Sequence, residues 1–152
     1  MTSSSIAVRL VAAVALFGAI AGCTTHDAVF HDRSPEQVWT ALVTACEQPS
    51  YDDWVLIENN AWVDPGHDRV EVYRRLRRDI FREGSKVVRE DETLELQFVL
   101  EPTDPPQVSG LVRNPLVRMR GVAALDHVYN EMRELLGLVR IDTASVEAPT
   151  DG

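Results

Sequence analysis

The sequence predicts an α+β fold: a two-layer sandwich in which an antiparallel sheet of about four strands carries an N-terminal and a C-terminal helix on one face. Three observations predict it. Apolar residues recur at three- and four-residue spacing near the start and near the end of the chain. Between these segments, about fifty residues rich in branched and aromatic side chains follow the two-residue period of half-buried strands. The strand-like runs are joined by short turns, so they pair as neighbours, with helices at the two ends.

The first firm element opens at Ser34-Pro35-Glu36-Gln37, an N-cap serine, a proline at the first helical position and a glutamine at the third. Val38, Trp39, Leu42, Val43, Ala45 and Cys46 then form one apolar face, and Gln48-Pro49-Ser50 ends the helix near Glu47. A strand follows over Trp54–Val63, and Asp64-Pro65-Gly66-His67-Asp68 turns the chain. Arg69–Arg82 reads as a long strand, Glu83-Gly84-Ser85-Lys86 as its turn, and Glu90–Leu100 as the return, with near-strict alternation from Leu94 to Leu100. Gln107–Arg113 supplies one more strand after a proline-rich connection, and a short strand at Ala28–His31 precedes them all. Asn114-Pro115 either caps a helix or turns the chain. From Val122 the helical face is clear, with Leu125, Val128, Tyr129, Met132, Leu135 and Leu136, and Gly137 is a suitable C-cap.

Charge and apolar matching suggest a register for the long hairpin in which Val70 faces Leu100, Val72 faces Phe98 and Leu76 faces Leu94. The same register sets Arg78 against Glu92 and, on the other face, Arg75 against Glu95, each such pair contributing up to about 1 kcal/mol. Arg74 then falls on the apolar face opposite Leu96. Its expected position is a place where the sheet outruns its helices, stem on the sheet and head in water.

Ahead of this domain, Arg9 precedes the apolar run Leu10–Gly22, which ends at Cys23. That is the layout of an export signal, and it is shorter than the roughly 20 apolar residues of a spanning helix. Its last four residues, Ile20-Ala21-Gly22-Cys23, resemble the lipobox of bacterial lipoproteins. The resemblance implies cleavage between Gly22 and Cys23 and acylation of the Cys23 thiol and the new amine. Several acyl chains, at about 0.8 kcal/mol per buried methylene, attach a protein stably. It also implies a place in the cell envelope. Thr24 stands where an aspartate would hold a lipoprotein in the inner membrane, which favours the outer membrane, facing the periplasm, in a cell with two membranes. The expected organisation is a removed signal at 1–22, a lipidated tether at 23–33, one domain at 34–141 and a disordered tail at 142–152. The element order resembles the helix-grip and related two-layer domains, which implies an architecture and no activity.

After loss of the signal, 14 basic residues face 24 acidic ones, a net charge of −10. Such a chain meets phosphates with like charge, which argues against nucleic acid. With Cys23 acylated, Cys46 has no disulfide partner, and its place on a helix face reads as a small buried hydrophobe. His26, His31, His67 and His127 lack the short spacings of metal ligands, and no nucleophile motif or phosphate loop is present. Asp64, His67 and Asp68 read as a turn. The expectation is therefore a protein without cofactor, metal or catalytic set.

One stretch stands out, Tyr73-Arg74-Arg75-Leu76-Arg77-Arg78. From Arg69 to Arg82 six arginines face only Glu71 and Asp79. Tyr73, Arg74, Arg75, Arg77 and Arg78 are the candidate partner-binding residues, for an envelope protein or an anionic envelope component. The competing reading is that Glu58, Glu92 and Glu95 on neighbouring strands neutralise them. Two functions follow: a membrane-anchored, non-catalytic binding or structural domain, or a carrier holding a small apolar ligand between sheet and helices, lined by Trp39, Leu94, Phe98 and Tyr129.

Overall fold

The computed structural model describes residues 24–81, 84, 86–114, 116 and 118–138. The segments expected to be the export signal, the acylated Cys23 and the disordered tail from residue 142 lie outside the described residues. The chain is α+β, with strands β1 (Thr24–Val29), β2 (Val55–Asp64), β3 (Arg69–Ile80), β4 (Val88–Glu101) and β5 (Gln107–Val112) and helices α1 (Pro35–Glu47) and α2 (Arg118–Leu135). The five strands form one antiparallel sheet in the order β1-β5-β4-β3-β2.

The sheet has one strand more than the expected four, and it begins at Thr24, inside the segment assigned to a tether. Thr24 to Val29 pair residue for residue with Val112 to Gln107. Of the side chains described in this strand, at 25–29, only Ala28 is buried, with Phe30 buried just beyond, so β1 shows little apolar periodicity.

Helix α1 starts as its sequence dictates. The Ser34 hydroxyl accepts from the Gln37 amide at 3.3 Å, the Gln37 side chain accepts from the Ser34 amide at 3.0 Å, and Pro35 occupies the first turn. Helix α2 ends at Gly137, whose positive φ of 67° lets the Leu138 amide reach the Arg133 carbonyl at 2.7 Å. Asn114 caps no helix; its side chain bonds the backbone of β4 at Thr93 and Glu95.

The β3–β4 register differs by two residues from the expected one. Val70 faces Phe98, Val72 faces Leu96, Arg74 faces Leu94, and Arg78 faces Glu90. A two-residue slip leaves every side chain on the same face, so apolar matching alone does not separate the two registers. The Asp68 carbonyl accepting from Leu100 at 2.8 Å ties the β2–β3 turn to the end of β4.

One core joins Val70, Val72 and Leu76 of β3, Leu94 to Leu100 at alternate positions of β4, and Val108 and Val112 of β5 with apolar residues of both helices. Helix α2 reaches the sheet most closely at Tyr129. Its ring meets Phe98 edge-on at 5.9 Å, and its hydroxyl donates to the His26 carbonyl at 2.6 Å and lies 3.2 Å from the Val108 carbonyl. Gly110 makes this approach possible. A Cβ there would stand 2.4 Å from the Tyr129 hydroxyl and 2.9 Å from Leu125. Gly110→Ala is therefore expected to destabilise the fold by about 2 kcal/mol through overpacking. Tyr129→Phe alone should cost about 1 kcal/mol for its lost hydrogen bonds. Because Tyr129→Phe removes the atom in closest conflict, the double variant should cost less than the sum of the two, measured by urea unfolding.

Candidate functional site around the arginine-rich strand

Strand alternation divides the candidate residues between the two faces of β3. Tyr73, Arg75 and Arg77 point one way, and Arg74 and Arg78 the other. The five do not form one patch.

The outward arginines have acidic neighbours. Arg77 meets Asp91 at 2.7 Å, and Arg75 lies 3.7 Å from Glu58 on β2. Further along the sheet Glu71 is shared by Arg69 at 3.7 Å and Arg113 at 3.1 Å. Tyr73 is half-buried between Asn60 and Glu95. Glu58 is one of the three expected partners; on β4 the shifted register puts Asp91 and Glu90 in place of Glu92 and Glu95, and the outcome is local neutralisation. Exposed pairs of this kind contribute little to stability.

Arg74 is the buried polar residue of the core, at 0% exposure, so the expected head in water is replaced by full enclosure. The reason is the end of α1, which lies over it. Arg74 donates through Nε to the Asn59 side chain at 2.7 Å, through Nη1 to the Tyr51 hydroxyl at 3.1 Å, and through Nη2 to the Ala45 and Cys46 carbonyls at 2.9 Å each. Asn59 also donates to the Cys46 and Glu47 carbonyls at 3.1 Å. The last carbonyls of a helix lack intrahelical donors and carry its negative end, so a guanidinium is well placed there.

Around this cluster burial sets the ionisation. Desolvation pushes the Cys46 thiol up to about 12, against an opposing pull from Arg74, so the buried cysteine is a protonated, unreactive packing group. Desolvation also raises Tyr51, whose ring stacks on His127 at 4.2 Å. Glu131 on α2 accepts from the Ser50 amide and lies 3.7 Å from His127. Its carboxyl is raised, first by burial, with the Ser50 hydrogen bond and Arg74 opposing.

Beyond Tyr51 a cleft of about 290 Å³ opens, lined by Trp54, Leu76, Leu94, Ala123 and Ala124 with Arg78, Glu92, Arg120 and His127 at its polar margin. Arg78 lies over Trp54 at 4.4 Å and is held by Glu90 at 2.7 Å. A larger open trough of about 610 Å³ lies at the other end of the domain, where Arg33 donates to the Leu136 carbonyl at 2.8 Å. Of the residues expected to line an apolar cavity, Leu94 borders the cleft. Phe98 and Tyr129 are packed against each other and fully buried, and Trp39 is partly buried against the core.

The Asp64–Asp68 segment is a 3-10 turn in which Asp64 accepts from Gly66 and contacts His67 at 2.8 Å. No group of three or more metal-ligating side chains occurs among the described residues. His26, expected in the tether, sits in β1 and pairs with Asp126 at 3.0 Å. Asn59, Tyr51, Arg120 and Glu131 are site residues that the sequence pattern does not single out, whereas Trp54, expected to pack at the core or the sheet edge, lines the cleft. Asn59, a polar residue interrupting an apolar strand, was the available signal for a buried acceptor.

No protein-family model matches the chain, and no curated protein matches it. Among solved structures, a protein from Chromobacterium violaceum aligns over 76% of this chain and 94% of its own, with 10% identity and a TM-score of 0.35. A protein from Rhodobacter sphaeroides aligns over 74% and 91%, with 16% identity and a TM-score of 0.37. Ara h 8.0201 aligns over 76% and 99%, with 15% identity and a TM-score of 0.35. At these values no property of those proteins transfers to this chain.

Two outcomes follow from the cluster. Replacing Arg74 with Met strands the acceptors of Asn59, Tyr51 and the α1 terminus, and should lower unfolding free energy by about 3 kcal/mol in urea titrations. Arg75→Met should stay within about 0.5 kcal/mol of wild type. Glu131 carries the opposite sign. A raised folded-state carboxyl stabilises below the unfolded value of 4.5 and loses that contribution as pH rises through its folded value. Relative to Glu131→Gln, wild type should therefore gain melting temperature as pH falls from 7 to 4.

Proposed function

We propose that this chain is a membrane-anchored lipoprotein of the cell envelope, whose mature part is a small non-catalytic domain with a binding or structural role. On this reading the domain is a two-layer sandwich with both helices on one face of the sheet. The observation that supports it best is a junction: the lipobox-like Ile20-Ala21-Gly22-Cys23 is followed at once by β1, which starts at Thr24. Removal of the signal would thus cost the sheet none of its strands, and acyl groups on Cys23 would hold its edge at the membrane. The outer membrane, on its periplasmic side, is the proposed destination where the cell has two membranes. Partner contacts fall to Tyr73, Arg75, Arg77 and Arg78, because Arg74 is enclosed.

A second reading, a carrier of a small apolar ligand, draws support from the 290 Å³ cleft and its Trp54, Leu76 and Leu94 floor. That volume is just under the roughly 300 Å³ at which small-molecule sites begin. Mass spectrometry of the protein extracted from its own membranes separates the readings. Loss of residues 1–22 with an acyl-sized addition on Cys23 is the expected result, and an unmodified mature mass would refute the anchor. A small adduct retained under native conditions and lost on denaturation would favour the carrier.

A further inference from the structure

The four ladders place several features at one end of the domain. Thr24 aligns through Val112 and Leu96 with Val72, and from that row β3 and β4 run on together for eight more residue pairs, to Ile80 and Val88. At about 3.3 Å per residue this hairpin outruns β1 and β5 by roughly 26 Å. Arg113 and Asn114, just after β5, bond the backbone of β4 at Glu95 and Thr93, and α2 begins at Arg118. The slanting margin from Thr24 to the hairpin end thus takes in the first turn of α2.

Large apolar side chains are exposed along this margin. Met119 is 82% exposed, Phe81 79%, Val87 51% and Val88 47%. Lys86 and Arg120 lie among them, exposed and in no ion pair with the described residues. In a mature chain of net charge −10, apolar side chains interspersed with cations that have no ion-pair partner among the described residues are suited to an anionic bilayer surface, where apolar groups enter the headgroup boundary and cations meet phosphates.

We infer that this margin lies on the membrane that holds Cys23, with Phe81, Val87, Val88 and Met119 in the lipid interface and Lys86 and Arg120 at anionic headgroups. The inference rests on the anchor proposed above, because it is the adjacency of Cys23 to Thr24 that selects a bilayer as the occupant. With Cys23 directly before Thr24, the margin that begins at Thr24 and slants to the hairpin end is the one the anchor would bring to the bilayer.

The test uses the full chain, acylated in cells and reconstituted into phosphatidylethanolamine–phosphatidylglycerol vesicles. Nitroxide labels are placed at Phe81→Cys, at Met119→Cys and, at the far end of α2, at Leu135→Cys. All three positions are largely exposed, so the core is untouched, and Cys46 is buried. The expected result is several-fold lower collision with a water-soluble relaxation agent, and higher collision with oxygen, at 81 and 119 than at 135. Equal accessibility at the three sites in acylated protein overturns the inference alone. Protection that grows with protein-to-lipid ratio assigns the margin to a second copy and overturns it too. Intact mass on the same sample reports Cys23, and an unacylated chain overturns the anchor and this inference together.

Discussion

The fold depends on one guanidinium meeting the end of one helix. Arg74 offers five N–H donors in a rigid plane, and four of its contacts reach α1, the loop after it and β2. Burying that charge would cost several kcal/mol without partners. Here the acceptors are the terminal carbonyls of α1, which themselves need donors, and the amide oxygen of Asn59. Each side resolves the other's burial, and Asn59 completes the arrangement by donating to Cys46 and Glu47. The cluster also accounts for its surroundings. Cys46 stays protonated in its enclosed position, and Tyr51 is fixed between Arg74 and the His127 ring.

A second seam binds the other half of the sheet. Tyr129 passes over Gly110 to reach the backbones of β1 and β5, so α2 is registered against the two strands that contain the chain's first and last sheet residues. Arg33 adds a long-range contact at the far end, donating to the carbonyl of Leu136 just past α2. Both helices therefore end on an arginine supplied from elsewhere in the chain. Phe98, toward the C-terminal end of the central strand β4, touches Tyr129 and lies beside Val70 in the same core that receives α1. The two seams are thus mechanically connected through the centre of the sheet.

What could be read from residues alone follows from the range of the interactions involved. The capping box at Ser34, the Asp64–Asp68 turn and the alternation of β4 are local, and the structure contains each of them. The hairpin register came out two residues off, since faces repeat every two residues and arginines find acids in either alignment. For β1 the sequence supports a strand only from Ala28, because an edge strand with one buried side chain among those described has almost no pattern. The enclosure of Arg74 is the largest departure from expectation, and its cause is non-local: nothing in β3 reveals that α1 terminates above it. The hints that this part of the core holds hydrogen bonds are Arg74 itself on the apolar face of β3 and the polar run Glu58-Asn59-Asn60 on the adjacent strand.

The arginine-rich strand illustrates why local charge is a poor guide to a binding surface. Six arginines over fourteen residues suggest an anion site, but alternation sends one inward to cap a helix and sets another over Trp54 beside Glu90. Of the outward ones, Arg75 and Arg77 meet Glu58 and Asp91. A cation already paired must give up its carboxylate before it can take a new anion, so the exchange yields little net free energy. Lys86 and Arg120 carry no such prior partner among the described residues. They are fewer, yet each is free to add attraction rather than trade it. The more informative surface is therefore the margin running from Thr24 to the hairpin end, where exposed apolar side chains coincide with cations that have no ion-pair partner among the described residues.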